Sequence, residues 1–412
     1  MQYLFTERAH LMCPHMCFGL VMTVSRPYDA ALIRQCVDRL AAAHPFLNAL
    51  LGYEEAGNVY FYRVTDQCQA ELLLKEQAIP STDAPEIMEA YQQLTGRDWN
   101  LLEEGLLKIA AWSMGSDTCF LLVFHHLLTD GRGALGLAEE LADCYAIGRE
   151  PTYTPEQLIA SANDLPADSR LPFISRILIQ RANKAWEREQ RIVSYGEYHA
   201  FAESFLKQDQ VSHPLFRTSR EELEEIHRSC HERQVTVNDY LMARMMLEAH
   251  TGKVVMACDL RDRLGVYRKG ALGNYSTAFS IEAKAGKADL YALAKAVRAQ
   301  VQKKLSRPAD LWLVLQCYAN LDPGLIDAAL ISCRGDFPSK AGRFIGSKFF
   351  GFSAADGFSV TNLGRIESES ISSAFFIPPA SPAIRKTWGV LTVNGVMTVC
   401  ASERASGGRT SA

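Results

Sequence analysis

The sequence predicts an α+β protein of two lobes, and three observations support this fold class. The chain has 412 residues, which is longer than a single hydrophobic core usually supports. Two lobes of about 200 residues each are therefore expected. Short apolar runs typical of buried strands occur between amphipathic stretches with helical spacing. Near the end of the chain, Asn394-Gly395 separates two apolar runs and predicts a type I′ hairpin.

The first part of the chain predicts alternating helices and strands. Apolar residues repeat at helical spacing from Tyr28, and His44-Pro45 ends that helix. Residues 58 to 64 then predict a strand, and residues 84 to 95 predict a second helix. A further apolar run at residues 106 to 113 comes just before a glycine turn and predicts another strand.

The strongest functional signal follows a predicted strand at residues 118 to 124. His126 stands at the end of this strand, where an imidazole can enter a cleft and act as a general base with an ordinary pKa of about 6.5. Asp130 can fix the loop by local hydrogen bonds or by an ion pair with a distant arginine, and Gly131 tolerates unusual backbone angles. The structural alternative is that His125 and His126 are a core pair that caps the strand.

Beyond Gly131, the pattern predicts a helix that ends at Gly148 and a charged helix that ends near Arg191. Irregular sequence follows to about residue 213. A capping-box signature at residues 219 to 222 starts the next helix, and a Met-rich helix begins near Asn238.

Two more strands are predicted in the last part of the chain, at residues 254 to 260 and 358 to 364, the second ending in a turn. The small polar tail from Arg404 is predicted to be mobile. These elements divide the chain into an N-terminal lobe at 1–165, which contains His125 to Gly131, an inter-lobe linker or crossover at 166–215, and a C-terminal lobe at 216–412.

Composition and charge exclude several classes of function. Hydrophobic residues make up 48% of the chain and the formal net charge is -4, so nothing in the charge favours nucleic acid or an anionic membrane as a partner. The N-terminus lacks the pattern of a signal peptide, and no apolar run has the length of a membrane span. The 11 cysteines are scattered and predict reduced thiols. We therefore expect a cytoplasmic protein without membrane insertion.

The order His-His-x-x-x-Asp-Gly at residues 125 to 131 resembles the signature of the condensation-domain and CoA-dependent acyltransferase superfamily. The resemblance is closest in style to stand-alone alcohol and wax-ester acyltransferase-like and condensation-like proteins. It implies two chloramphenicol acetyltransferase-like lobes, each a mixed sheet with helices, with the active-site tunnel between them. It also implies that His126 is the general base, that Asp130 and Gly131 belong to the catalytic motif, and that His125 is structural support.

Softer resemblances follow in family order. Residues 258 to 263 resemble the Asp-Leu-Arg segment of the same acyltransferases, and 273 to 275 resemble their Gly-Asn turn. Because the motif aspartate of such proteins pairs with an arginine, Arg261 is the expected partner and Arg263 the reserve; solvated charges are the alternative for each. Residues 358 to 364 resemble the second-lobe strand that faces the active-site tunnel in this superfamily. Asn362 is therefore a candidate to hydrogen-bond an acyl carbonyl or an oxyanion; the more conservative interpretation is that it caps its turn.

Two other patterns suggest different chemistry. The segment His10 to Cys17 contains ligand types that suit zinc, but Cys13, His15 and Cys17 alternate like one face of a strand and lack two-residue gaps, so we expect no metal site. His15 is then a candidate channel residue. Residues 131 to 136 fit Gly-x-Gly-x-x-Gly, but no second strand ending in an acid follows, as a dinucleotide site requires.

The resemblance implies an acyltransferase that moves an acyl group from a pantetheine thioester to a hydroxyl or amine of a small-molecule acceptor. No cofactor is bound permanently; acyl-CoA, the expected donor, or acyl-phosphopantetheine is a co-substrate. Lys340, Arg343 and Lys348, in a predicted loop, offer cations for CoA phosphates, unless that loop is simply solvated. Two alternatives stay open: a condensation enzyme of non-ribosomal peptide type that uses an acyl carrier protein, and a catalytically silent binding relative. The oligomeric state is not predicted.

Overall fold

The structure is a computed structural model that describes residues 2–284 and 289–405. The described residues form thirteen α-helices and fifteen β-strands. The helices are α1 (Arg8–Leu11), α2 (Ala30–Ala43), α3 (Pro85–Thr95), α4 (Gly131–Ile147), α5 (Phe173–Glu189), α6 (Tyr195–Gln208), α7 (Arg220–Glu232), α8 (Val237–Glu248), α9 (Leu290–Leu305), α10 (Pro308–Leu311), α11 (Leu313–Asn320), α12 (Pro323–Arg334) and α13 (Lys340–Lys348). The strands are β1 (Gln2–Tyr3), β2 (Cys17–Val24), β3 (Ala49–Glu54), β4 (Val59–Val64), β5 (Glu71–Leu74), β6 (Leu107–Met114), β7 (Asp117–His125), β8 (Val211–Ser212), β9 (Leu215–Thr218), β10 (Lys253–Asp259), β11 (Ser276–Glu282), β12 (Gly357–Ile366), β13 (Ile371–Ile377), β14 (Ile384–Val393) and β15 (Val396–Arg404).

The strand that ends at the motif lies in the middle of a five-stranded sheet with the order β13-β2-β7-β6-β5. Strands β2 and β6 flank β7 and run antiparallel to it, with Cys17 opposite His125. Every residue of β7 except Asp117 is buried, which explains the unbroken apolar run in the sequence. The motif therefore begins where a rigid central strand leaves the sheet.

A second sheet has seven strands in the order β11-β10-β12-β14-β15-β8, with β9 also paired to β15. Its β14-β15 hairpin turns at Asn394 and Gly395, whose φ angles of 49° and 82° are both positive, as a type I′ turn requires. This prediction is confirmed. A third, small sheet has the order β1-β4-β3. No helix among the described residues is long and apolar enough to cross a membrane.

Two hydrophobic clusters fill the molecule. One surrounds the five-stranded sheet, and the other lies between the seven-stranded sheet and helices α8 and α9. The first cluster also takes residues from the last third of the chain, because β13 pairs with β2 and α12 and α13 bring Leu325 and Ile345 into it. Strand β13 thus joins the five-stranded sheet, although it follows five strands of the seven-stranded sheet in sequence. The predicted boundaries at 1–165, 166–215 and 216–412 stay a prediction.

Several local predictions are wrong. The stretch expected to be irregular contains α6, which begins with a capping box between Ser194 and Glu197. The strand expected to end near Gly364 continues to Ile366 through an irregularity in its pairing with β14. The segment 340 to 348, expected to be a loop because of its glycines, is α13.

The glycines of α13 serve helix packing rather than a loop. A Cβ atom on Gly346 would lie 2.3 Å from the carbonyl oxygen of Ala329, and one on Gly342 would lie 2.9 Å from that of Ala328. Only glycine allows α13 to approach α12 so closely. The residues before Cys17 are also not strand, since α1 ends at Leu11 and β2 begins only at Cys17. Of the tail, Arg404 ends β15, and residues 406 to 412 lie outside the described residues.

Candidate active site

Strand β7 places the two motif histidines on opposite sides of the sheet. Successive side chains of a strand point to opposite faces, and the contacts agree: the His125 ring lies 6.0 Å from the ring of Trp99, whereas the His126 ring lies 5.2 Å from that of Phe18. The backbone N–H of His126 donates to the Met16 carbonyl at 2.8 Å. The backbone of His126 is therefore fixed by β2 while its side chain leaves the sheet.

Asn274 determines which nitrogen of His126 is free. The His126 Nδ1 lies 2.8 Å from Asn274 Oδ1, and Asn274 Nδ2 donates to the His126 carbonyl oxygen at 2.8 Å. Because the amide nitrogen is committed to a carbonyl, the amide oxygen must face Nδ1, which then carries the hydrogen. The neutral ring therefore keeps its lone pair on Nε2, the atom that can accept a proton from a substrate.

Burial lowers the pKa of His126 from its ordinary value, while the nearby Asp130 charge and the Asn274 hydrogen bond act in the opposite direction. The imidazole is therefore neutral at neutral pH. A general base must be unprotonated before the reaction begins. The electrostatics of the site thus suit His126 for proton acceptance.

Asp130 holds the loop between β7 and α4. It is the N-cap of α4, and its Oδ1 accepts hydrogen bonds from the backbone N–H groups of Arg132 and Gly133 at 3.1 Å each. Arg261 NH2 donates to Oδ1 at 2.7 Å and NH1 to Oδ2 at 3.1 Å, while the Tyr275 N–H reaches Oδ2 at 3.0 Å. Burial alone would raise the pKa of Asp130, but the Arg261 charge and these hydrogen bonds outweigh burial and lower it.

The ion pair of Asp130 with Arg261, expected from the resemblance, is present in the structure. Arg263 does not take that place: it is exposed, and its NH1 donates to the Leu305 carbonyl at 3.4 Å. Gly131 is the first residue of α4 and is not among the glycines with a positive φ, so the turn does not use the conformational freedom of glycine there. A Cβ atom at this position would lie 2.6 Å from a methyl carbon of Leu363, so a larger residue would require that side chain to shift.

Asn362 is exposed, and its amide groups are engaged away from His126. Its Oδ1 accepts from the Gly364 N–H at 2.8 Å, and its Nδ2 donates to Asn238 Oδ1 at 3.2 Å. This is the capping role that we gave as the alternative. Asn362 also lines a cavity of about 270 Å³ next to Asp130, and His126 is not among the described residues that line it. Its function as an oxyanion donor and the tunnel to His126 stay predictions.

The three basic side chains that were predicted to bind CoA phosphates lie on the surface of α13. Lys340, Arg343 and Lys348 are all exposed, and none of them lines the cavities next to Asp130 or Arg261 among the described residues. Their contact with a phosphate stays a prediction. His15 contacts Asp209 at 2.9 Å and lines a cavity of about 350 Å³ with Cys17. The described residues contain no group of three or more ligands that could hold a metal ion.

Sequence reasoning missed two residues that contact His126. Asn274 was visible only as part of a Gly-Asn turn, and its target could not be predicted because the two residues are distant in sequence. His10 was considered only as a metal ligand, but its ring stacks on that of His126 with 4.3 Å between the centroids and 20° between the planes. No sequence pattern indicates this contact, because it depends on how α1 packs.

Removing the Asn274 amide should weaken the base. We expect Asn274→Ala to lower kcat/KM about 10-fold to 100-fold, since a hydrogen bond that a charged imidazolium can strengthen contributes about 1.5–3 kcal/mol. Asn274→Asp is the matched variant: a carboxylate still accepts from Nδ1 but adds a negative charge, which should raise the pKa of His126 and move the acid limb of the pH–rate profile upward. Wild-type kcat/KM in both variants would contradict the assigned contact.

His125 makes stability depend on pH. Its Nδ1 accepts from the Leu127 N–H at 3.2 Å, and burial lowers its pKa to about 3. Because an unfolded histidine titrates near a pKa of about 6.5, the unfolded chain binds a proton that the folded chain does not as the pH falls below about 6.5, and the free energy of unfolding decreases. Urea unfolding at pH 7.5 and at about pH 5 measures this decrease. It should be smaller in His125→Asn than in wild type. The matched variant is His227→Asn, which removes an exposed histidine. An unchanged decrease in His125→Asn would show that His125 is not buried and neutral.

No protein-family model matches the sequence, and no curated protein matches it. Solved structures do resemble the whole chain. The epimerization domain from the third module of tyrocidine synthetase B has a TM-score of 0.59 and 14% identity over 95% of this chain and 86% of that chain. Polyketide synthase associated protein 5 from Mycobacterium tuberculosis has a TM-score of 0.59 and 15% identity over 99% and 93%.

The first condensation domain of the calcium-dependent antibiotic synthetase, in complex with a substrate analogue, has a TM-score of 0.60 and 13% identity over 98% of this chain and 91% of that chain. The chain therefore has the fold of these domains. The predicted class is confirmed: an α+β protein with the two chloramphenicol acetyltransferase-like lobes of condensation domains. Identities this low establish the fold and leave the chemistry to the residues of this chain.

Proposed function

We propose that this protein is a transferase that moves an acyl group from a pantetheine thioester to a hydroxyl or amine, with His126 Nε2 as the general base. One observation carries the proposal: Asn274 holds Nδ1–H and leaves the Nε2 lone pair free. The lowered pKa of His126, caused by burial, keeps that lone pair unprotonated at neutral pH.

The reaction balances without a cofactor. His126 Nε2 takes the proton of the acceptor O–H or N–H as the acceptor atom bonds to the thioester carbonyl carbon. The carbon–sulfur bond then breaks, and the imidazolium returns the proton to the leaving thiolate. The products are the acylated acceptor and a free thiol. Nδ1–H stays on Asn274 throughout, so the charge that appears on the ring during the reaction already has a hydrogen-bond acceptor.

Asp130 and Arg261 support this chemistry without touching substrate. Their ion pair, with the N-cap bonds of Asp130, fixes the turn that follows His126. The Gly273 carbonyl accepts from the Asp130 N–H at 3.2 Å, so the same contacts hold the Asn274 segment against the motif loop. The base and the residue that sets its tautomer are thus positioned by one network.

We infer acyl-CoA as the donor from the resemblance of the sequence motifs to those of alcohol and wax-ester acyltransferases. The second candidate is a thioester on a carrier protein, which the likeness to epimerization and condensation domains of peptide synthetases favours at least as well. Both donors present the same pantetheine arm and carbonyl to His126. The exposed cations of α13 can meet CoA phosphates or acidic groups of a carrier. A silent binding relative is the third candidate, and the intact His126–Asn274 and Asp130–Arg261 contacts argue against it.

Donor kinetics test this choice. With one competent acceptor, the same acyl group is offered on CoA and on a phosphopantetheinylated carrier protein, and acylated product is measured by mass spectrometry. If acyl-CoA is the donor and α13 binds it, Lys340→Gln/Arg343→Gln/Lys348→Gln should raise KM for acyl-CoA and leave KM for an acyl-pantetheine, which lacks the nucleotide, unchanged. Turnover only from the carrier-bound donor would assign the condensation function. An unchanged KM for acyl-CoA would remove α13 from the site.

A further inference from the structure

The ring of His126 has a partner that no motif predicts. The His10 ring lies nearly parallel to it, 4.3 Å away and inclined by 20°, while the Phe18 ring meets it at 5.2 Å and 70°. In a stacked pair the nitrogen lone pairs lie in the two ring planes and cannot point at each other. His10 therefore neither hydrogen-bonds to His126 nor relays its proton. Its contact is made by the face of the ring.

A helix of four residues holds His10 in this place. Helix α1 is fixed by Arg8, whose Nε donates to Asp327 Oδ1 at 2.8 Å and whose NH2 donates to Asp327 Oδ2, with both side chains almost fully buried. The guanidinium also lies 4.5 Å from the ring of Tyr60. Leu11 is 0% exposed. With a buried ion pair and a core leucine on either side of it, His10 has little freedom to leave His126.

Resting on the proposed function, we propose that His10 is a positioning residue: its ring covers one face of His126, fixes the plane in which Nε2 points, and keeps water off that face. Asn274 alone fixes Nδ1 but allows the ring to rock about that hydrogen bond. The stacked ring removes this motion. An error of about 1 Å in the position of a catalytic group can cost about 100-fold in rate, so a ring clamp of this kind affects turnover.

His10 suits this role because it stays uncharged. Burial, with the neighbouring His126 and His125, holds the pKa of His10 well below its ordinary value. Its Nδ1 is buried and has no hydrogen-bond partner among the described residues, and a protonated ring would need one. Among the described residues, the charged group that acts on His126 is Asp130, whose carboxylate is paired with Arg261. A neutral His10 therefore adds no repulsion when His126 becomes an imidazolium.

The test separates the ring from its nitrogen atoms. His10→Phe keeps a flat ring that can stack, whereas His10→Asn keeps a polar group near Nδ1 without the ring, and His10→Ala removes both. The pKa of His126 is measured by ¹³C NMR of labelled imidazole rings, with His126→Ala to assign the signal. Thermal unfolding reports whether each variant folds.

We expect His10→Ala and His10→Asn to raise the pKa of His126 by roughly 0.5 to 1, since water reaching the ring relieves part of the effect of burial. Both variants should also lower kcat about 10-fold or more with little change in KM. His10→Phe should keep the wild-type pKa and most of kcat. A purely structural residue would change the unfolding midpoint without this pattern.

Two results would overturn the proposal. One is an unchanged pKa of His126 in both His10→Ala and His10→Asn. The other is a His10→Phe variant as impaired as His10→Ala beside a nearly normal His10→Asn, which would assign the role to the nitrogen. The NMR titration needs no turnover, so it separates the two claims. A shifted pKa in a protein that transfers no acyl group would support the positioning role and reject the proposed function.

Discussion

Replacing His126 with alanine should lower kcat about 100-fold to 10,000-fold, the contribution of a positioned general base. The variant should still fold, because the His126 backbone keeps its hydrogen bond to Met16 and β7 stays buried between β2 and β6. Losing the ring leaves Asn274 Oδ1 without its partner, which should cost about 1–3 kcal/mol of unfolding free energy. Steady-state kinetics and urea unfolding measure the two effects.

His125→Ala is the matched control, because His125 occupies the neighbouring position with its side chain on the opposite face of the sheet. It lies in the core beside Trp99 and accepts from the Leu127 N–H. Its replacement should therefore reduce stability more than turnover, the reverse of the His126 variant. A His126→Ala protein with near-normal turnover would reject His126 as the base. Equal losses of turnover in both variants would point to general damage to the loop.

The second large effect is expected from Asp130→Asn. Asparagine is as good an N-cap as aspartate, so the variant keeps the start of α4 and removes the more buried of the two carboxylates that pair with Arg261, the other being Asp259. That guanidinium is 10% exposed and lies 5.3 Å from the rings of Tyr267 and Tyr275. Asp259 still pairs with the guanidinium at 3.0 Å, so the loss of the buried carboxylate should cost less than the about 3–5 kcal/mol of a buried charge left with no partner. Turnover should fall as well, because the loop that carries His126 loses its anchor.

The control for this prediction removes both charges. In Asp130→Asn/Arg261→Met the buried guanidinium is removed as well, and the Asp259 carboxylate that remains is 39% exposed, so much of the lost unfolding free energy should return. The pH dependence gives an independent check. The folded-state pKa of Asp130 is lowered, so its contribution is complete above the unfolded value of about 3.9 and disappears as the pH falls through the lower folded pKa. In Asp130→Asn, this part of the decrease in unfolding free energy at low pH should be absent. A single variant as stable as wild type would show that the ion pair does not support the loop.

Local signals in the sequence predicted much of the fold. The Asn394-Gly395 hairpin, the capping box at Ser219 and the buried strand before His125 are each determined by residues adjacent in the chain, and all three are present. The α13 segment was mispredicted because the packing of its glycines against α12 is a tertiary effect. Helix α6 was missed although its capping box is visible in the sequence.

The site was predictable only in part, for a similar reason. His126 and Asp130 lie within one short motif, and the resemblance named Arg261 as the partner of Asp130. The contacts of Asn274 and His10 with His126 join segments that are far apart in the chain. Only the packing of α1 and of the turn before β11 brings them to the end of β7. Periodicity and capping describe neighbours in sequence and contain no information about such contacts.

The central claim is that His126 drives acyl transfer from a pantetheine thioester, and product stoichiometry tests it most directly. Wild type and His126→Ala are incubated with acyl-pantetheine thioesters of several chain lengths and a mixture of alcohols and amines. Free thiol, acylated acceptor and the intact protein mass are then measured together. We predict one acylated acceptor for each thiol released by wild type, no acyl adduct on the protein, and only background release from His126→Ala. Wild-type thiol release no faster than the uncatalysed reaction, or an equal yield from His126→Ala, would contradict the claim.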